Sequence, residues 1–283
     1  MPRVDLPTGA SIYYEEFGEG FPLLLFAPGG MDSRLEMWYQ APWNPIEALS
    51  PYFRVIAMDQ RNAHRSFAPL AVTDWGDLAA DQAALLNALG IERTHIMGGC
   101  IGSSFCLRFM HDNPGRTTAA ILQNPIGLRG GNFDGFKGMF EIAARTAEEG
   151  GMQAVVDAAL ANDRFQQNHA GGLWAARIAA DEAFREEMLK MDATEYARIQ
   201  RGTSDAFFGR SDFVFSVTRE WVETLDVPLL VLAGHDDFHP TETAREIAEL
   251  APKATYVEEW APPEVRERTI ETAREFLLAN TPK

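Results

Sequence analysis

The stretch Arg93-Thr94-His95-Ile96-Met97-Gly98-Gly99-Cys100-Ile101-Gly102-Ser103-Ser104 decides the fold. It reads as a strand, a sharp turn and a helix start, with Cys100 at the apex. Gly98 and Gly102 stand two residues before and two after the cysteine. That spacing lets the backbone turn tightly enough to hold one side chain clear of its neighbours. This is the arrangement of a nucleophile elbow, G-x-S-x-G, with sulfur in place of oxygen. The helix starting at Ile101 points its partial positive end at the sulfur, which favours thiolate over thiol. A free cysteine is also a common small core residue, so the pentapeptide alone leaves both readings open.

The rest of the chain bears on the choice. With 283 residues and 46% apolar content it can bury a full core, most simply one α/β domain with an insertion. Acidic residues outnumber basic ones 41 to 25, which argues against nucleic acid or an anionic membrane surface as partner. The beginning, Met-Pro-Arg-Val-Asp, carries no secretion signal, and apolar runs stay short. The two cysteines, Cys100 and Cys106, lie six residues apart on one expected helix, roughly 9 Å at 1.5 Å per residue. That is too far for a disulfide. Free thiols and no leader lead to the expectation of a reducing, cytoplasmic setting.

Strand-like runs recur at 11–16, 22–26, 53–58, 94–97, 119–123, 228–232 and 254–257. From residue 53 onward most alternate with helical patterns at 74–89, 101–113, 241–250 and 263–279. Continuous apolar runs such as Val227-Pro-Leu-Leu-Val-Leu-Ala233 suit a parallel sheet covered on both faces. The first two strands, broken at Pro7-Thr8-Gly9 and Gly18-Glu19-Gly20, read as hairpins that start the sheet antiparallel. Between about 127 and 222 the strands stop. Helical segments take over, with glycines at 130, 131, 150 and 151. An all-helical insertion before the next core strand is read as a lid. The expected division is a core of 1–126 and 223–283, with a helical cap of 127–222.

Four motifs stand at the carboxyl ends of expected strands, where ligands bind in such sheets. They are Ala27-Pro28-Gly29-Gly30-Met31; Asp59-Gln60-Arg61-Asn62-Ala63-His64-Arg65-Ser66; the elbow; and Gly234-His235-Asp236-Asp237-Phe238-His239-Pro240. With this element order, the chain resembles the α/β-hydrolase superfamily with a helical cap, and the likeness covers nearly its whole length. The resemblance implies an α/β fold with a mostly parallel eight-stranded sheet. It implies an oxyanion loop at 27–31, with Pro28 in the place of the family's His. It also implies a D-x-R-G-x-G-x-S turn at 59–66, where Asn62 and His64 replace glycines, and an acid loop at 234–240.

The match breaks at the base. The family's catalytic His follows the last strand, but here that stretch reads Val257-Glu258-Glu259-Trp260-Ala261-Pro262-Pro263. No histidine follows His239, and an indole cannot accept a proton. His239 is therefore the leading candidate, in a loop two strands from the elbow strand, with Asp236 placed to orient it. The competing role for His239 is to cap the helix after Pro240. His64 and His235 are runners-up on the same edge, while His95 and His111 read as structural and His169 as a surface residue of the cap. For the acid, counting from Gly234 favours Asp237 and counting back from Pro240 favours Asp236, which is preferred. The backbone N–H groups of Gly30 and Ile101 are the expected oxyanion donors.

The expected function is a hydrolase with Cys100 as nucleophile, acting on an activated ester, thioester or lactone through a covalent acyl-enzyme. Phe133, Phe136, Phe140, Phe165 and Trp174 suggest an apolar pocket, with packing of the cap onto the core as the competing role. An acyltransferase, a lyase, an isomerase or a non-catalytic ligand-binding relative are the alternatives. No cofactor and no metal are expected. The partner is a small-molecule substrate, with self-association into a homo-oligomer left open.

Overall fold

The computed structural model of the protein describes residues 3–127, 132–209 and 213–283. Gly130 and Gly131, and the side chain of Phe133, lie outside the described residues. Eight strands form one sheet: β1 (Arg3–Asp5), β2 (Ser11–Phe17), β3 (Pro22–Phe26), β4 (Arg54–Met58), β5 (Thr94–Gly99), β6 (Thr117–Gln123), β7 (Leu229–Leu232) and β8 (Ala254–Val257). Their spatial order is β1-β2-β4-β3-β5-β6-β7-β8. From β4 to β8 every pairing is parallel, and β1 and β2 are antiparallel at one edge.

The helices around and between the strands are α1 (Pro45–Leu49), α2 (Trp75–Ala88), α3 (Ile101–Asp112), α4 (Asn132–Ala161), α5 (Ala175–Ala180), α6 (Glu182–Lys190), α7 (Ala193–Phe208), α8 (Arg219–Glu223), α9 (Thr241–Leu250) and α10 (Pro263–Ala279). Helix α4 is broken at Gly151, whose φ of 70° is left-handed. No described helix is long and apolar enough to cross a membrane.

The central strands follow from their side chains. All residues of β5, β6 and β7 are buried, as two-sided coverage by helices requires. The expected pair of N-terminal hairpins is half right. The turn at Pro7-Thr8-Gly9 does join β1 and β2, with Arg3 opposite Tyr13. The turn at Gly18-Glu19-Gly20 is no hairpin, because β4 lies between β2 and β3. Burial explains the exchange. Four of the five residues of β3 are fully covered, which demands an interior place, whereas β2 carries half-buried Tyr14 and Glu15 and exposed Glu16 and suits the margin. The turn itself packs on the segment before β4, where a β-carbon on Gly18 would stand 1.9 Å from the Ser50 carbonyl oxygen.

Between β6 and β7 every described regular element is helical. Its aromatic side chains pack on one another. Phe136 stacks on Phe208 at 5.2 Å, Phe140 meets Phe165 at 5.2 Å, and Trp174 faces Tyr196 at 6.0 Å. Phe136, Phe140, Phe165 and Trp174 are all buried, so packing takes their surface. The segment is also fastened to α2, where Trp75 donates its indole N–H to the Phe207 carbonyl oxygen at 3.0 Å. One continuous apolar cluster joins these helices to the sheet.

Four loops leave the carboxyl ends of parallel strands on one edge: 27–33 after β3, 59–66 after β4, Cys100 after β5 and 233–240 after β7. The sheet therefore brings together motifs separated by more than two hundred residues.

Candidate active site

Cys100 stands between β5 and α3 with φ 56° and ψ −121°, a strained backbone for a residue with a side chain. Its neighbours make the turn feasible. A β-carbon on Gly98 would lie 2.0 Å from the Gly102 carbonyl oxygen, and one on Gly102 would lie 2.1 Å from that of Phe26. Only glycines fit at both places. The Cys100 N–H donates to the Gln123 carbonyl oxygen of β6 at 2.9 Å. The Ser103 hydroxyl lies within bonding distance of the Gly98 and Gln123 carbonyl oxygens, at 3.1 and 3.2 Å. The strain at Cys100 is thus held from three sides. Both cysteines are free, Cys100 partly exposed and Cys106 fully buried, and burial drives the Cys106 thiol well above its ordinary pKa.

The turn after β3, the expected oxyanion loop, is a short 3-10 helix, Gly30–Asp32, entered through Gly29 at φ 116° and Gly30 at φ 62°. The N–H groups of Gly30 and Ile101 each open a helical segment, where amides have no partner inside their own helix. Ser33 pins the turn by donating its hydroxyl to the Ala27 carbonyl oxygen at 2.7 Å. In the 59–66 loop, Asn62 and His64 adopt the left-handed conformation at φ 64° and 44°, so it keeps the backbone that glycines would provide. Asp59 is completely buried and accepts from the Leu35 N–H at 2.9 Å and the Arg65 Nε at 2.8 Å. Arg61 makes a two-pronged ion pair with buried Asp81 of α2, at 2.7 and 2.9 Å.

His239 and Asp236 meet in the loop after β7. His239 Nδ1 lies 2.8 and 2.9 Å from the two carboxylate oxygens of Asp236. The same carboxylate accepts the backbone N–H groups of Phe238 and His239, both at 2.9 Å. Gly234 is the reason the loop can close, since a β-carbon there would stand 2.2 Å from the His239 carbonyl oxygen. Burial pushes the imidazole pKa down. The interactions with Cys100 and with the carboxylate of Asp236 more than reverse this, raising it to about 9. Burial likewise pushes the Asp236 carboxyl up, but His239 and the two amides hold it below its ordinary value. His239 Nε2 is buried and has no hydrogen bond of ordinary length, with Cys100 the strongest raising influence on the ring. His239 does not cap α9, whose cap position is Pro240.

Of the other histidines, His235, His95, His111 and His169 are bonded elsewhere, while His64 Nδ1 is buried without a hydrogen bond. His235 is exposed, with Nε2 at 2.8 Å from the Glu258 carbonyl oxygen and Nδ1 at 3.3 Å from the Thr241 hydroxyl. His64 Nδ1 lies 3.8 Å from Glu36 and 3.9 Å from Asp59. Those three side chains gather like metal ligands, but the Arg65 guanidinium already binds both Asp59 and Glu36. His95 is buried between Thr118 and Thr281, at 2.7 and 2.9 Å, and burial lowers its pKa to about 4. His111 pairs with Asp112 at 2.6 Å. His169 is half-buried and bonded to the Phe165 carbonyl oxygen at 2.6 Å, so it is less exposed than its sequence position suggests.

Two groups beside the Gly30–Asp32 turn have no warning in the sequence. Gln166 places its side-chain amide 2.0 Å from where a β-carbon of Gly30 would be. Arg164 reaches Asp32 at 3.2 Å. Both come from the helical segment, more than 130 residues away along the chain and outside any motif. A surface cleft of about 750 Å³, lined by Arg3, Phe67, Asp181 and Glu186 among others, contains none of the residues described at this edge.

The comparisons with known proteins agree with this architecture. The chain is 27% identical over 272 residues to a putative carbamate hydrolase of Azorhizobium caulinodans, covering 95% of this chain and 94% of that protein. It is 28% identical over 272 residues to a non-heme chloroperoxidase of Streptomyces lividans, covering 90% of each. Among solved structures, a thermophilic esterase from Thermogutta terrifontis superposes with TM-score 0.65 at 22% identity, covering 99% of both chains. An enol-lactonase from Burkholderia xenovorans superposes with TM-score 0.63 at 24% identity, covering 98% of this chain and all of that one. The family model for the alpha/beta hydrolase fold matches residues 22–261, so the chain belongs to that family.

Proposed function

We propose that the protein is a hydrolase that uses Cys100 as nucleophile on an activated carbonyl (ester, thioester or lactone) through a covalent acyl-enzyme. The observation that carries this reading is the pairing of Asp236 with His239 Nδ1, together with an imidazole raised to about 9 by the influence of Cys100 and Asp236. The hydrolases among its relatives support the reaction class.

In this reading His239 is a protonated imidazolium at neutral pH and Cys100 its thiolate partner. The sulfur attacks the carbonyl carbon, and the carbonyl electron pair moves onto oxygen. The N–H groups of Gly30 and Ile101 hold that oxyanion, each worth about 3–4 kcal/mol in acyl transfer. Collapse breaks the bond to the leaving group, which takes the proton from His239 Nε2. The neutral imidazole then accepts a proton from water as the oxygen attacks the thioester. A second collapse releases the carboxylic acid and restores thiolate and imidazolium. Asp236 holds the ring through Nδ1, so Nε2 is the nitrogen that exchanges the proton.

The test is a panel of chromogenic esters and thioesters with the wild-type protein, Cys100→Ala and Cys100→Ser. Turnover lost in Cys100→Ala, with an acyl adduct on the Cys100 peptide by mass spectrometry, supports the reading. Undiminished turnover in Cys100→Ala overturns it.

A further inference from the structure

Beside the oxyanion turn lies a buried cluster whose charges do not balance. Arg34 Nη2 lies 2.6 Å from Asp32 Oδ2, and Arg164 Nε lies 3.2 Å from the same oxygen. The Asp32 side chain is 3% exposed, that of Arg34 10% and that of Arg164 25%. Burial pushes the Asp32 carboxyl up, and the two guanidinium groups only partly oppose this. Among the described residues no other carboxylate lies within ion-pair distance of either arginine. Two cations thus share one anion in a largely dry place, and Arg34 Nε is buried with no hydrogen-bond partner. Surplus buried charge without a partner is costly, and a guanidinium fork suits a planar carboxylate.

The cluster adjoins the reacting centre. Asp32 closes the 3-10 turn that Gly30 opens, about 4 Å further along its axis at 2 Å per residue. Arg164 Nη2 also touches Met37 Sδ at 3.2 Å, and Met37 lies 3.3 Å from where a β-carbon of Gly29 would be. Two residues on, Gln166 sets its amide against Gly30, and its Oε1 is buried without a partner. One short segment, 164–166, therefore delivers a cation and an unpaired amide to the oxyanion turn.

The geometry points to an anion subsite: Arg34 and Arg164 bind a carboxylate carried by the acyl part of the substrate, and Gln166 orients the polar group next to its reacting carbonyl. The substrate class is then the monoesters, monothioesters or lactones of dicarboxylic acids. This rests on the acyl-enzyme reading above, and it deepens that reading by naming what the acyl group must carry. Arg34 and Arg164 are specificity-determining residues and take no part in bond making.

Two measurements separate the failure of this inference from the failure of the reaction assignment. Binding of succinate, glutarate and adipate, with succinamide as the uncharged control, is measured by calorimetry on the Cys100→Ala protein, which needs no turnover. At least one dicarboxylate is expected to bind, the amide is not, and Arg164→Gln in that background weakens binding at least 10-fold. Turnover of the 4-nitrophenyl monoester of adipic acid is then compared with that of 4-nitrophenyl hexanoate. The ratio of kcat/KM for the two falls at least 10-fold in Arg164→Gln and by less in Arg164→Lys, which keeps the charge but not the fork. Dicarboxylate binding that depends on Arg164 without turnover of any ester sustains the subsite and overturns the reaction. Turnover through Cys100 with no dicarboxylate binding, or with binding indifferent to Arg164, overturns the subsite. A lower melting temperature with both esters slowed in equal proportion assigns Arg164 to a latch and also overturns it. Should Arg164→Gln fail to fold, Arg164→Lys decides by the same ratio.

Discussion

Trp260 is buried against the sheet, and its indole N–H donates to the carbonyl oxygen of Ala233 at the end of β7. The stretch after β8, where the resemblance leads one to look for a histidine, is therefore occupied by a structural side chain. The imidazole that Cys100 influences belongs to the neighbouring loop instead. His239 and Asp236 lie three residues apart in one turn, so a single loop carries both the imidazole and its carboxylate partner. The arrangement has measurable consequences.

Cys100 is expected to be the reactive thiol. It is partly exposed at the elbow, whereas Cys106 is fully buried with its pKa driven upward. Limiting iodoacetamide followed by peptide mapping should label Cys100 alone in the folded protein, with Cys106 modified only after denaturation. Labelling of Cys106 first would contradict the elbow geometry.

His239→Gln should lower turnover by roughly 10²–10⁴, the usual span for a lost general acid–base. In the wild type, activity should hold on the alkaline side until the pH passes about 9, where the imidazolium loses its proton. The stability linkage has the same sign. This histidine's folded pKa lies above the unfolded value, so its contribution is full below about 6.5 and is lost as pH rises through about 9. A pH–rate profile of the variant that keeps the alkaline limb would assign that limb elsewhere.

Asp236→Asn should move the alkaline limb of the pH–rate profile to lower pH and reduce kcat, because both Asp236 oxygens face His239 Nδ1. Asp237→Asn serves as the comparison, since the carboxylate bonded to His239 Nδ1 is that of Asp236. A larger shift from Asp237→Asn would reverse the assignment.

Gly234→Ala tests the loop without touching a charged group. Its new methyl would meet the His239 carbonyl oxygen at 2.2 Å and the His239 β-carbon at 2.3 Å. Activity should fall with the imidazole displaced, while circular dichroism shows the sheet and helices unchanged. Full activity would mean that the loop relaxes freely.

His95 should make the fold acid-sensitive. Its pKa is about 4 in the folded protein against the ordinary 6.5, so the unfolded chain binds its proton first. Stability should drop as pH falls from about 6.5 through 4, by up to ~3 kcal/mol. Urea midpoints of wild type and His95→Asn across that range measure it. Equal slopes for the two proteins would clear His95 of the effect.

Much of this was legible from local patterns. The spacing Gly98-x-Cys100-x-Gly102 specifies the elbow, because a tight turn between strand and helix admits no side chain at either flank. Continuous apolar runs placed β5, β6 and β7 inside a covered sheet. The preference for Asp236 over Asp237 followed from a count along the loop, and it is Asp236 that faces His239. Strand pairing was different. Nothing local in Gly18-Glu19-Gly20 says that β4 will slip between β2 and β3, since neighbours in a sheet are chosen by competition for buried positions along the whole chain. The aromatics of the helical segment were equally ambiguous, because a phenyl ring lining a pocket and one packed on another ring have the same sequence signature. Gln166 and Arg164 were invisible altogether. Their meeting with Gly30 and Asp32 spans more than 130 residues. The sequence determined which turns form and which residues can carry chemistry, through glycine sterics and side-chain identity. Only the tertiary structure decided which of those residues meet, because distances between remote segments are set by how helices and strands pack, and no local rule contains that information.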